Sequence, residues 1–473
     1  MSKLIKNTVI YTVGNVLTAL SAFLLLPVYT KYMSVDDFGV TNSMQTLSGI
    51  LIIIITLAID RSLGRLYYDY ADEKDRRDFL GTIFISLISI GIVATIICFI
   101  SKDQLNKLFP NIPFYPYFTF SILYTFLLLI INYSQMIAQV KQNSKQFMFI
   151  SLTLVVITAS CNILLVVNYK EGAMGYVKGM MLSAAIIIPL VLYYIHKSIN
   201  YTFNFYKLKL ALIFSLPVLP SLLSSWILNL SDRIFINKYF TQTDVGIYSL
   251  GYRLASLIMF ISAALFMAYN PVFFEIANRE EISIEEKKEK LYKINSGIVL
   301  TVGILGLSIL SGADILLKLF FRKEYITSYH YISIFALSFI ISQIGALFNQ
   351  MIYQNKKTQH VAIVIIICAV INIGLNYLLI PIGVYFAAIN SLLCNILIFI
   401  FMYFLARKNF FIKTDWKIIG VILISYACIY FENMFLLPKD LIVSIPIKLL
   451  TILLMLFIFK NPILNVIKTI KNK

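Results

Sequence analysis

Lys31-Tyr32-Met33-Ser34-Val35-Asp36-Asp37-Phe38-Gly39-Val40 and Lys238-Tyr239-Phe240-Thr241-Gln242-Thr243-Asp244-Val245-Gly246-Ile247 carry the same order of Lys, Tyr, hydroxyl, Asp and Gly at an offset of 207 residues. The first stretch follows the first long apolar run of the chain and the second follows the seventh. A second pair, Gln135-Met136-Ile137-Ala138-Gln139-Val140-Lys141 and Gln350-Met351-Ile352-Tyr353-Gln354-Asn355-Lys356, closes the fourth and tenth runs. A third echo places Asn162-Ile163 and Asn372-Ile373 in the fifth and eleventh runs, with Gly175 and Gly383 opening the runs that follow. The chain therefore reads as one six-span block written twice. Because six is even, both copies enter the bilayer in the same direction, the parallel-repeat plan of transporters with a central pathway.

Composition supports that reading. The chain has 473 residues, 59% hydrophobic and 13% charged, with mean hydropathy +0.84, whereas charged residues make up roughly a quarter of soluble domains. A membrane-crossing helix needs roughly 17–25 mostly apolar residues. Such runs fall near 6–28, 39–60, 79–100, 117–139, 147–167, 174–195, 210–230, 246–272, 294–320, 331–353, 361–380, 384–405, 416–436 and 442–460. The expected fold is thus an all-α integral membrane protein of about 14 transmembrane helices. Residues 1–200 would form an amino-terminal six-helix lobe, 201–410 a parallel second lobe, and 411–473 two additional transmembrane helices with a cytoplasmic tail. The first apolar run, continuing through Phe23-Leu24-Leu25-Leu26-Pro27-Val28, is too long for a signal-peptide core and predicts a retained first span.

The net charge of +17 has a topological explanation. With the amino terminus inside, roughly 25 basic residues fall in inner loops and tail against roughly 9 outside, which predicts both termini in the cytoplasm. The charges are spread over short loops between spans, not gathered on one face, so nucleic acid is not expected as a partner. The inner loops at Asp69 to Asp78 and Arg279 to Lys290 occupy equivalent places in the two blocks, and the Glu and Lys spacing of the second predicts a surface helix with paired charges. Cys98, Cys161, Cys368, Cys394 and Cys428 all fall within apolar runs and read as small buried residues.

No phosphate-binding loop, HExxH or spaced histidine cluster occurs, so no cofactor or metal is expected and the chain does not read as an enzyme. A membrane polysaccharide polymerase or glycosyltransferase is the enzymatic alternative. It would expose a large extracytoplasmic catalytic loop, whereas the longest outer loop, around Ser101 to Pro116, holds only Lys102, Asp103 and Lys107 as charges. The informative residues are ionisable groups inside spans, because a charge in hydrocarbon costs several kcal/mol unless it faces protein or water. Arg253 lies seven residues past Gly246, on the order of 10 Å into the eighth span. Lys178 is early in the sixth span, Arg65 at the inner end of the second, and Asn15 shares a stripe of the first with Thr18. These four are the candidate substrate-binding residues. Pro217 and Pro220 predict a bend in the seventh span.

Leu26-Pro27-Val28-Tyr29-Thr30-Lys31-Tyr32 with Asp37-Phe38-Gly39, then Asp232-Arg233 with Asp244-Val245-Gly246-Ile247-Tyr248-Ser249, together with the fourteen-span plan, resemble the Wzx-type polysaccharide-repeat-unit flippases of the multidrug/oligosaccharidyl-lipid/polysaccharide (MOP) exporter superfamily. That resemblance implies a flippase of O-antigen, lipopolysaccharide or capsule synthesis in the bacterial cytoplasmic (inner) membrane. It would move undecaprenyl-diphosphate-linked oligosaccharide repeat units from the inner to the outer leaflet. Membrane lipids, and the polysaccharide polymerase machinery, would be its partners, and Na+ or H+ its coupling cation. Arginine and lysine in a wet pathway suit a diphosphate. Lipid II flippases of the superfamily carry cavity arginines in the first span, and here no Lys or Arg occurs between Lys6 and Lys31. Drug antiporters of the superfamily use membrane-embedded acidic residues, for which the first block offers only Asp60. Both remain alternatives.

Overall fold

The computed structural model describes Gly14, residues 21–433, and Pro446, Lys448, Leu450 and Leu453. Among these residues every regular element is helical. Eleven helices are long and apolar enough to cross a membrane: Val35–Thr56, Glu73–Ile100, Phe114–Val140, Ser144–Asn168, Gly172–His196, Phe205–Leu230, Gln242–Asn278, Ile284–Phe320, Ser328–Gln354, Thr358–Ile382 and Tyr385–Arg407. They are the second to twelfth expected spans. The thirteenth is the shorter helix Trp416–Phe431, while most of the first and fourteenth, with Asn15 and Thr18, lie outside the described residues.

The chain divides into two compact units, Met1–Gly246 and Ile247–Lys473. In the first unit the fourth span packs on the sixth and second, and the fifth on the sixth. With the third span they share one core that includes Met44, Leu47, Phe79, Ile83, Ile122 and Ile187. The seventh span belongs to this unit. Its parts Leu219–Leu230 and Asp232–Tyr239 lie against Val35–Thr56, and Phe205–Ser215 lies against Ile59–Leu66 and Glu73–Ile100. It is interrupted at Leu216–Val218, a 3-10 turn beside Pro217 and Pro220, since proline lacks the N–H that a continuous helix requires. In the second unit the tenth span packs on the twelfth and ninth, and Tyr248, Tyr252, Phe335 and Phe339 form edge-to-face aromatic pairs 5.2–5.4 Å apart.

The repeated motif builds the same local structure twice. Asp37 N–H donates to Ser34 Oγ at 3.0 Å, and the Asp37 carboxylate accepts from Ser34 N–H at 3.2 Å and from its hydroxyl at 2.8 Å. Thr241 and Asp244 repeat all three bonds at 3.2, 3.0 and 2.6 Å. Each is a capping box that starts a span. The two copies also touch one another. A Cβ on Gly39 would overlap the Gln242 carbonyl, and one on Gly246 would overlap that of Val35. Since Gln242 stands to Val35, and Gly246 to Gly39, at the same offset of 207, the two approaches are reciprocal, the signature of a local two-fold contact. Only glycine permits so close a backbone approach.

Three span boundaries differ from the sequence expectation. The second span is two helices, Val35–Thr56 and Ile59–Leu66, broken where Leu57 (φ 48°) and Ala58 (φ 56°) are both left-handed. The eighth begins four residues before Gly246, at Gln242, and is interrupted at Ser256. The ninth is one helix of 37 residues, Ile284–Phe320. At 1.5 Å per residue it is about 55 Å long, far more than the ~30 Å hydrocarbon layer. The expected surface helix is therefore the projecting start of this span, where Lys290 pairs with Glu286 at 2.7 Å and Lys293 with Glu289 at 2.8 Å.

Candidate functional site

In the first unit the break at Leu57 and Ala58 turns the end of the second span into an amphipathic segment. Ile59, Ser62 and Leu63 are buried, and Arg61 and Arg65 are exposed. Arg61 lies 3.6 Å from Asp60, and Arg65 pairs with Asp69 one turn on. Lys178 pairs with Glu171 at 3.2 Å. Asp37 joins the start of the second span to that of the sixth, because its carboxylate accepts from Ala173 N–H at 3.1 Å. Lys178 is thus about 9 Å, six residues of helix, from the end of the unit at which Asp37 lies, and Arg65 terminates the second span at the other end. The structure does not bring Arg65 and Lys178 together, and Asn15 lies outside the described residues.

A pair of charges just past the expected seventh run, 210–230, proves to be enclosed. Asp232 and Arg233 are 1% and 3% exposed, and Arg233 Nη1 donates to the Asn229 carbonyl at 3.1 Å. Burying a guanidinium is costly unless its donors are satisfied. The legible signal was two adjacent opposite charges between Leu230 and Ile234-Phe235-Ile236. Along the contact of the second and seventh spans, Asn237 donates to Ser43 at 2.8 Å and Ser43 to Gln242 at 3.3 Å, while Gln45 donates to Tyr176 at 2.6 Å. Asn111, in the loop between the third and fourth spans, donates to the Asn237 and Phe240 carbonyls at 3.2 and 3.0 Å, capping the end of Asp232–Tyr239. Thr41, Gln45, Ser48, Ser121 and Tyr124 border a cavity of about 10 Å³, room for one water and not for a sugar.

In the second unit Arg253 is half-buried in the last turn of Gln242–Ala255. Counted from Gln242 it lies about 16 Å along that helix, deeper than expected from Gly246. Ser256, at the interruption, donates its hydroxyl to the Arg253 carbonyl at 2.7 Å. Farther along the ninth span, Asp314 accepts from Lys448 and has Lys318 at 3.8 Å. Asn390 donates to Asn376 at 3.0 Å, and Asn376 to Asn372 at 3.1 Å, a fully buried chain of amides that links the eleventh and twelfth spans. Among the described residues no group of three or more His, Cys, Asp or Glu is placed to hold a metal ion. Of the polar donors described above, Lys178 and Arg65 are already ion-paired and the Asn372–Asn376–Asn390 amides are bonded to one another, while Arg253 is a half-buried guanidinium of the kind that binds anionic groups.

The model profile of one protein family, described as polysaccharide biosynthesis protein, matches residues 4–277. The chain belongs to that family. Among curated relatives, Lsg locus putative protein 1 of Haemophilus influenzae is 26% identical over 290 residues, 60% of this chain and 69% of that protein. An uncharacterised membrane protein of the same organism is 22% identical over 376 residues, 78% and 89% of the two chains. Among solved structures, the lipid II flippase MurJ in an inward closed conformation superposes with TM-score 0.73 at 13% identity, over 97% of this chain and 99% of that one. An inward-facing multidrug resistance MATE transporter of the MOP superfamily gives TM-score 0.61 at 15% identity, over 83% and 97%. The fold is that of the MOP superfamily, as the resemblance implied, and the chain is a multi-span membrane protein of polysaccharide biosynthesis.

Proposed function

We propose that this protein is a flippase that carries undecaprenyl-diphosphate-linked oligosaccharide repeat units from the inner to the outer leaflet of the bacterial cytoplasmic membrane. The observation that carries the reading is a polysaccharide-biosynthesis family match lying on a chain whose fold is that of MOP-superfamily transporters. A diphosphate with attached sugars cannot cross hydrocarbon unshielded, so the carrier must supply donors inside its spans. Arg253 is the first candidate, because its planar fork binds two phosphate oxygens at once. Lys178, Arg65 and Asn15 are secondary contacts. The six-plus-six-plus-two plan, with both termini in the cytoplasm, completes the proposal. The lipid II reading draws on the MurJ-like fold, against the absence of Lys and Arg between Lys6 and Lys31.

The test is a deletion strain. Synthesis of the lipid-linked unit is expected to continue, with the unit trapped on the inner leaflet and restored to the outer one by the gene in trans. A strain unable to make the lipid-linked unit at all would replace transport by catalysis. Normal export of that unit with impaired peptidoglycan precursor transport would favour lipid II.

A further inference from the structure

The segment after the sixth span is tied to the third span by polar bonds yet exposes a run of aromatic rings. Between Gly172–His196 and Phe205–Ser215, residues 198–204 are held to the first unit by their polar atoms. Asn200 N–H donates to the Arg77 carbonyl at 3.1 Å, and the Asn200 amide and Thr202 hydroxyl donate to Asp78 Oδ1 at 2.7 and 3.1 Å. Asn204 N–H donates to Thr82 Oγ1 at 3.1 Å, and Asn204 Oδ1 accepts from the Tyr206 and Lys207 amides, capping the next helix. A Cβ on Gly81 would overlap the Asn200 carbonyl, so the segment lies flat on the third span.

Thr202 and Asn204 stay exposed while they make these bonds, and so do the side chains that alternate with them. Those alternating residues are all aromatic: Tyr201, Phe203 and Phe205 are 58%, 55% and 71% exposed, and Tyr206 beside them is 68% exposed. Exposed contiguous apolar surface of this kind marks an interaction site.

We propose that residues 197–206 are an interfacial anchor, lying in the headgroup–acyl boundary of the bilayer on the lysine-rich side of the protein with Tyr201, Phe203, Phe205 and Tyr206 turned into lipid. Three observations select lipid over a protein partner. The segment begins and ends at the termini of two membrane spans, and the 25-residue helix before it, about 37 Å long, reaches past the hydrocarbon into the headgroup layer. The aromatic row is continuous with the outward faces of those spans, where Leu192, Ile213 and Phe214 are exposed. Exposed Lys197 and Lys209 flank it, with Lys197 over the Tyr193 ring at 4.3 Å, and this basic and aromatic mixture is what membrane interfaces favour.

The test uses the full chain in vesicles of phosphatidylethanolamine and phosphatidylglycerol, with Trp226→Phe and Trp416→Phe to remove the native indoles. Phe203→Trp is expected to emit blue-shifted light, to lose most of it to lipids brominated high on the acyl chain, and to resist acrylamide. Glu285→Trp, on the projecting start of the ninth span, is expected to show the reverse. If the tryptophan background does not fold, a nitroxide at Phe203→Cys, in a chain that keeps both tryptophans and has its five native cysteines replaced by serine, is expected to be more accessible to oxygen than to a water-soluble nickel chelate. Behaviour of position 203 like position 285 overturns the anchor, and so does shielding from both lipid and aqueous quenchers, which would mean a protein covers it.

Discussion

At the scale of single residues, Asp37 and Asp244 show how one motif acquires unequal duties. Both close a capping box, and Asp37 also bonds onward to another span, accepting from the Ala173 N–H. Loss of a cap costs about 0.5–2 kcal/mol. Asp37→Ala is therefore expected to lower stability by about 2 kcal/mol, adding the Ala173 bond to the cap, and Asp244→Ala by about 1 kcal/mol. Thermal unfolding of the purified protein in detergent checks the ranking. Gly39→Ala and Gly246→Ala each drive a methyl into a carbonyl, so both are expected to lower the unfolding temperature more than Gly64→Ala, where a Cβ meets nothing within 4 Å. Arg253→Lys keeps the charge and loses the fork, and is expected to retain partial export, whereas Arg253→Ala loses most of it at normal protein levels. Full complementation of a deletion strain by Arg253→Ala would remove Arg253 from the proposed phosphate contact.

At the scale of elements, the interrupted spans differ in how the interruption is made. The seventh uses proline, and its break was legible as Pro217 and Pro220. The second has neither proline nor glycine at its break, and two ordinary residues, Leu57 and Ala58, adopt left-handed conformations. Such a conformation costs roughly 1–2 kcal/mol per non-glycine residue, so packing must hold it. Ala58 is fully buried, which supplies that packing. Ala58→Val adds a branched Cβ to the left-handed position and is expected to destabilise by on the order of 2 kcal/mol. Ala58→Gly relieves strain and removes one buried methyl, nearly offsetting terms of about 1 and 0.8 kcal/mol. Denaturation in detergent should separate the two variants clearly.

At the scale of the whole molecule, the proposed topology places the loop at Asp69 to Asp78 and the projecting start of the ninth span on the cytoplasmic side. In a cysteine-free background, Asp75→Cys and Glu285→Cys are expected to resist an impermeant thiol reagent in intact cells and to react once the inner face is opened. Lys102→Cys, in the outer loop, is expected to react from outside. Labelling of positions 75 and 285 in intact cells would invert the topology and the transport direction with it.

The sequence by itself determined the helical membrane class, the span order and the duplicated motif, because apolar length and repeated spacing are properties of the chain read in one dimension. It also exposed the seventh-span break, since proline removes a donor wherever it stands. Tertiary structure alone decided that the two motif copies meet reciprocally at Gly39 and Gly246, that Asp232 and Arg233 are enclosed, and that the second span breaks at Leu57. Those outcomes depend on which backbone approaches which, and on buried neighbours that repay strain and desolvation. Arg65 and Lys178 carry the same lesson: their charge was legible, but their separate partners, Asp69 and Glu171, were chosen by where the helices begin and end.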